Sequence, residues 1–194
     1  DREEGVTKSE DPYGWYRKGP IGADFKIPEV LPHLFGKSVD FVKEHAESAK
    51  SGEPFFLYLA LPAPHTPIVP VPPFLGASEL NPYADFVMQM DHHVGELLES
   101  LENTGLAEET LVIFTSDNGG MINQTGQDAI RQGHQLNGDL LGFKFDAWEG
   151  GHRVPFIARW PGKIEAGSVS DQLISQIDLM RTFASLTGQQ LLAE

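Results

Sequence analysis

The sequence predicts an α/β fold, a layered sheet with flanking helices. Three observations carry that expectation. Apolar residues recur at three- and four-residue steps over two long stretches, 32–50 and 82–103, which is the spacing of one buried helix face. Each stretch is followed by a short unbroken apolar run, Pro54–Leu61 and Thr110–Thr115, too short for a helix and lacking the alternation of a half-exposed strand. The order helix, strand, helix, strand then implies parallel pairs joined by crossovers.

The 194 residues suffice for one domain, read as residues 1–194 with an irregular segment at 1–32 and an α/β body at 33–188. Hydrophobic residues make up 40% and charged residues 22%, a globular composition. No apolar run reaches the length of a membrane span. The formal net charge is −14, from 14 Lys and Arg against 28 Asp and Glu. Such a surface argues against nucleic-acid binding and favours cations. There is no cysteine, which excludes disulfides, thiolate metal sites and a cysteine nucleophile within these residues.

Taken in order, residues 1–32 are punctuated by Pro12, Gly14, Gly19, Pro20, Gly22, Pro28 and Pro32, with Trp15 and Tyr16 expected to pin the segment to a larger body. The first helix carries Leu34, Phe35, Val39, Val42 and Ala46 and ends at Ser51 and Gly52. The Pro54–Leu61 strand runs into a proline-rich loop holding His65. The second helix, from about Pro82 to about Asn103, is closed by Gly105. Met121–Leu141 is polar and glycine-rich and reads as a long loop with room for one helical turn. Val154–Trp160 reads as a further strand, Gln172–Ser175 as another, and Asp178–Leu186 as a helix stopped by Gly188.

The central strand Thr110–Thr115 runs into Ser116, Asp117, Asn118, Gly119 and Gly120. In open α/β sheets ligands bind beyond the carboxyl ends of strands. A carboxylate next to an amide oxygen is a pair of hard donors suited to Ca²⁺ or Mg²⁺; the same residues also make ordinary turns. His65, with prolines on both sides and a strand before it, can act as a proton donor or acceptor or be an ordinary loop histidine. Lys144, among Phe143, Phe145 and glycines, can bind an anion as a point charge or lay its stem on an aromatic ring. Arg153 and Glu149 can pair to brace the turn. His33 and His45 are expected to face solvent. His92 and His93 are adjacent on a helix and are expected to point apart, without sharing a metal. His134 is unassigned, and His152 is read as structural.

FFLYLALPAPHTP, TLVIFTSDNGG and GFKFDAWEGGHRVPFIARWPGKI, in this order, resemble the later half of a formylglycine-dependent sulfatase of the alkaline-phosphatase-like superfamily. The similarity runs from about residue 12 to about residue 188. It implies a partial alkaline-phosphatase-like sheet and hydrolysis of sulfate esters. It implies Asp117 and Asn118 as ligands of one Ca²⁺, His65 and Lys144 as catalytic and sulfate-binding residues, and Glu149, Gly150, Gly151 and Arg153 as a structural turn. Asn118 in place of a histidine suits calcium better than the paired zinc ions of phosphatase relatives. The implied partner is a sulfated small molecule or glycan, with no nucleic acid and no membrane span, and the implied compartment is periplasmic, secreted or lysosomal.

The family's nucleophile lies in Cys/Ser-x-Pro-x-Arg, and no such segment occurs here. Nor does an Asp-Asp pair for the remaining calcium ligands. The chain therefore reads as a fragment with half a calcium site and half a substrate site, inactive alone. The alternatives are a phosphonate or phosphate monoester hydrolase of the same superfamily, or a non-catalytic binding module. A truncated sheet is also expected to expose an unpaired edge.

Overall fold

The computed structural model describes residues 22–191. Of the expected irregular segment 1–32, residues 1–21, with Trp15 and Tyr16, lie outside the described residues, and the remainder ends in helical structure from Ile27 onward.

The long helices form where the periodicity places them. Helix α1 spans Val30–Lys50, with a short 3-10 turn at Ile27–Glu29 leading in. Helix α2 spans Pro82–Asn103. Its N-cap is Asn81, whose side chain accepts the amide of Ala84 at 3.1 Å, with Pro82 at the first helical position. Its end is a Schellman turn. Gly105 takes φ +71, its amide meets the carbonyl of Glu102 at 2.9 Å, and the amide of Leu106 reaches back to Leu101 at 2.9 Å.

The two helices pack together along a seam of two buried clusters, with Leu97 packed against both. Val42, Ala46, Leu101, Leu106 and Ala107 form its lower part, and Leu31, Phe35, Ile68 and Phe86 its upper part. Phe35 is 1% exposed, so truncating it would cost about 3–5 kcal/mol.

Strand β1 (Val112–Thr115) pairs with β2 (Phe156–Arg159), Val112 facing Arg159 and Thr115 facing Phe156. The pair is antiparallel, whereas the parallel pairing expected from the helix, strand, helix, strand order concerned Pro54–Leu61 and Thr110–Thr115. The loops before β2 bond to the tip beyond β1, Lys144 to Gly120 and Gly151 to Gly119, so the chain re-enters from that end and runs the opposite way. Parallel pairing would need a crossover to the far end.

The expected strand Pro54–Leu61 is extended but has no ladder partner among the described residues. Its side chains alternate. Phe55, Leu59 and Leu61 pack on the helical seam. Phe56 and Tyr58 are 68% and 81% exposed. Helix α5 (Asp178–Leu186) meets the second face through Phe183, whose ring is 5.5 Å from that of Phe56, edge to face. Residues 172–175, expected as a strand, form none, and Leu173 is fully exposed.

The region 121–141 contains more helix than its composition suggests. Helix α3 (Gln124–Arg131) is capped by Asn123, whose side chain accepts the Gly126 amide at 3.0 Å. A short helical turn, α4, follows at Glu149–His152. None of the described helices is long and apolar enough to cross a membrane.

Candidate active site

The carboxyl end of β1 is built by close backbone approach. The amide of Gly119 donates to the carbonyl of Gly151 at 2.9 Å, and the amide of Lys144 donates to the carbonyl of Gly120 at 3.1 Å. The Asp117–Gly120 tip is thereby stitched to the loop that carries Lys144 and to α4 behind it. A Cβ on Gly119 would land on the carbonyl of Gly150, and a Cβ on Gly150 would land on the carbonyl of Gly142. The glycines are there because two backbones touch.

Asn137 completes the junction. Its Oδ1 accepts the Gly120 amide at 2.7 Å, while its Nδ2 donates to the carbonyls of Gly120 at 3.3 Å and Gly142 at 3.1 Å. Asp146 adds a bond from the Phe143 amide to its carboxylate at 3.1 Å. Ser116 is held from the other side, its carbonyl accepting the side-chain amide of Gln176. The sequence pattern assigned no role to Asn137, Asp146 or Gln176. The Asn137-Gly138 step was the available signal, since Asn-Gly marks a turn, but a turn signal does not say what the side chain holds.

Asp117 is exposed and Asn118 half-buried. The Asn118 side-chain amide donates to the carbonyl of Gly119 at 3.0 Å, which fixes its orientation and turns Oδ1 away from that contact. No hydrogen bond from a described residue engages that oxygen or the Asp117 carboxylate. Two free hard oxygens at a strand end suit Ca²⁺ in kind, though they are two of the six to eight it takes.

Lys144 is half-buried, its ammonium 5.4 Å from the centre of the Phe145 ring. The two alternatives for it thus coexist, with an aromatic rest for the cation and a loop shared with the tip. Phe145 is 81% exposed and has φ +84, a strained conformation for a bulky residue. Arg153 and Glu149 pair at 3.3 Å across the exposed turn, as expected.

His65 is exposed at the turn after the extended segment, its amide bonded to the carbonyl of Pro62 at 3.0 Å. Its Nδ1 lies 2.7 Å from the carbonyl oxygen of Thr66. A carbonyl only accepts, so Nδ1 carries a proton and Nε2 is left to meet a ligand. No hydrogen bond or ion pair among the described residues joins His65 to Asp117, Asn118 or Lys144.

The other histidines depart from expectation in two places. His33 and His152 are exposed, and so is His134. His45 is half-buried rather than solvent-facing, stacked on Phe41 at 4.1 Å with Nδ1 2.9 Å from the Phe41 carbonyl. His92 and His93 do not diverge. Both reach Glu96, His92 Nε2 at 3.4 Å and His93 Nδ1 at 2.7 Å, because i+3 and i+4 both fall on one carboxylate.

The family model described as Sulfatase matches residues 4–189, nearly the whole chain. The chain belongs to the sulfatase family. Among curated sulfatases it is 37% identical over 181 residues to an N-acetylgalactosamine-6-O-sulfatase of Bacteroides thetaiotaomicron, covering 92% of this chain and 34% of that one. It is 38% identical over 174 residues to the N-acetylgalactosamine-6-sulfatase of Homo sapiens, covering 90% and 32%. A solved sulfatase structure from Bacteroides thetaiotaomicron, from work on metabolism of multiple glycosaminoglycans, superposes with TM-score 0.79 at 35% identity over 88% of this chain and 35% of that one. A sulfatase from Pseudoalteromonas sp. gives TM-score 0.73 at 31% identity over 89% and 34%. The chain thus spans about a third of the length of the sulfatases it matches, and its fold is part of their alkaline-phosphatase-like α/β domain.

Proposed function

We propose that this chain supplies part of the metal and sulfate site of an enzyme that hydrolyses sulfate esters on glycans. The observation that carries the reading is the junction of the Asp117–Gly120 tip with the Lys144 loop, in a chain of the sulfatase family. It sets two hard oxygen donors and a cation on two loops held together by backbone hydrogen bonds.

Asp117 and Asn118 would hold a Ca²⁺ ion together with ligands from outside these residues. Bound calcium supplies positive charge that polarises a sulfate oxygen. Lys144 adds a second cation, which offsets the charge of the ester and of the departing alkoxide. His65, when both ring nitrogens carry protons, would give the Nε2 proton to the bridging oxygen as the alcohol leaves. The nucleophile is not among these residues, which contain neither cysteine nor Ser-x-Pro-x-Arg.

Sulfated glycans are the favoured substrate class. Two of the similar curated proteins are named for N-acetylgalactosamine 6-sulfate, and a further solved neighbour, with TM-score 0.71 at 33% identity, was determined with a neocarrahexaose bound. Export to periplasm, lysosome or medium fits such substrates.

The test compares turnover of an aryl sulfate, a 6-sulfated N-acetylgalactosamine and a phosphonate monoester by the complete polypeptide and by the 194-residue chain. The complete polypeptide is expected to cleave the sulfates and the chain alone to cleave none. Preference for the phosphonate would overturn the substrate reading, and metal-dependent turnover by the chain alone would overturn the split site.

A further inference from the structure

The described residues contain one grouping of three or more His, Asp or Glu side chains close enough to hold a metal ion, and it lies away from the β1 tip. It consists of His92, His93 and Glu96 on α2, with one donor atom from each within 4.8 Å of the others. We propose that this cluster is a second metal site, for divalent ions of the zinc, nickel and copper class, distinct from the calcium ligands of the sulfatase reading and independent of that reading.

The donor set decides the class of ion. Two imidazoles and one carboxylate suit Zn²⁺, Ni²⁺ and Cu²⁺, whereas Ca²⁺ and Mg²⁺ take oxygen. One separation matches a zinc site and the other, now a hydrogen bond, must open to admit an ion. Donors around a tetrahedral zinc stand about 3.3 Å apart, given Zn–N and Zn–O distances of about 2.0–2.1 Å. The two nitrogen-to-oxygen separations here are 3.4 Å and 2.7 Å. Each carboxylate oxygen faces one ring, so an ion can enter between them with small adjustments of the three side chains.

The rings are already held. His93 lies 5.3 Å from Phe35 and 6.1 Å from Phe74, and His92 lies 5.1 Å from Phe74. Only 13% of the His93 side chain is exposed, and its Nε2 is enclosed without a hydrogen-bond partner among the described residues. Nδ1, facing Glu96, is therefore the nitrogen an ion would meet. His92 and Glu96 remain about half exposed, at 54% and 48%, which leaves an entry path from solvent and room for a water as fourth ligand. Ordering the rings before binding lowers the entropy cost of ligation. A plain histidine–glutamate ion pair needs only one ring, whereas here a single carboxylate takes two.

The experiment is calorimetric titration of the 194-residue chain, free of any polyhistidine tag, with Zn²⁺ in the presence of excess Ca²⁺. One Zn²⁺ per chain is expected. The affinity should fall at least tenfold in His92→Ala and in Glu96→Gln, both at exposed positions where the substitution leaves the core intact. It should be unchanged in Asp117→Ala. Absence of stoichiometric binding, an affinity indifferent to both α2 substitutions, or loss of binding in Asp117→Ala would each overturn the proposal.

Discussion

Asn137 grips Gly120 on both sides of its peptide, accepting the amide at 2.7 Å and donating to the carbonyl at 3.3 Å. The same side chain reaches Gly142 at 3.1 Å, so one amide ties the tip of β1 to the loop that presents Lys144. Asn137→Ala leaves one partly buried N–H and two carbonyls without these partners. An unsatisfied group of this kind costs about 1–3 kcal/mol. Urea unfolding of the substituted chain should show a loss in that range. A change below about 0.5 kcal/mol, the scale of an ordinary surface substitution, would remove Asn137 from the account.

The Gly119 contact makes a sharper expectation. Its missing side chain is what lets the tip lie against Gly150, and the obstacle is backbone rather than a movable side chain. Gly119→Ala must push β1 and α4 apart and break the Gly119–Gly151 hydrogen bond. The chain should lose about 2 kcal/mol or more, measured by thermal or urea unfolding. Gly36→Ala, where a Cβ meets nothing within 4 Å, serves as the control and should be neutral or stabilising.

Asp85 gives a pH-dependent signature away from the proposed chemistry. Burial pushes its carboxyl up, but hydrogen bonds from the Ser78 side chain, the Ser78 amide and the Gly76 amide outweigh that and leave it below its ordinary value. The unfolded chain therefore binds this proton more readily than the folded one. The stabilisation is fully present above the ordinary carboxylate value of about 3.9 and is lost as pH falls through the lower folded-state value. Asp85→Asn should be less stable at neutral pH and should lose less stability than the unsubstituted chain on going to pH of about 3. Parallel stability curves for the two proteins over that interval would contradict the assignment.

Helices were the most legible part of the fold, for a physical reason. The register of α2 is written in its own side chains, from the Asn81 cap to Gly105, and needs no partner to be read. Strand pairing is not local. Pro54–Leu61 looks like a buried strand because of its composition, yet Phe56 and Tyr58 are exposed and nothing among the described residues pairs with it. The antiparallel return of β2 depends on where 40 intervening residues go, which apolar runs do not encode. Helix α3 was hidden by its glycine and polar residues, although the Asn123 cap was there to be seen. At the candidate site, Asp117, Asn118 and His65 were singled out for following apolar runs and Lys144 as a cation among aromatics and glycines, but the backbone junction that brings the Asp117–Gly120 tip to the Lys144 loop was not legible. Asn137 did not, because holding two backbones together leaves no mark in residue type. His92 and His93 were separated by an argument about adjacent residues that left out Glu96, the third side chain that both can reach.

In the proposed function the tip of β1 and the Lys144 loop together handle a sulfate ester. The most direct measurement is kcat/KM of the complete polypeptide on an aryl sulfate, with Lys144→Ala and Asp117→Ala compared with the unsubstituted protein. Removing a charge that acts on the reacting group should lower kcat/KM by about 10²-fold or more in each, with added calcium restoring neither to the original level. Turnover within about twofold of the original in both variants, a difference of about 0.4 kcal/mol, would contradict the account.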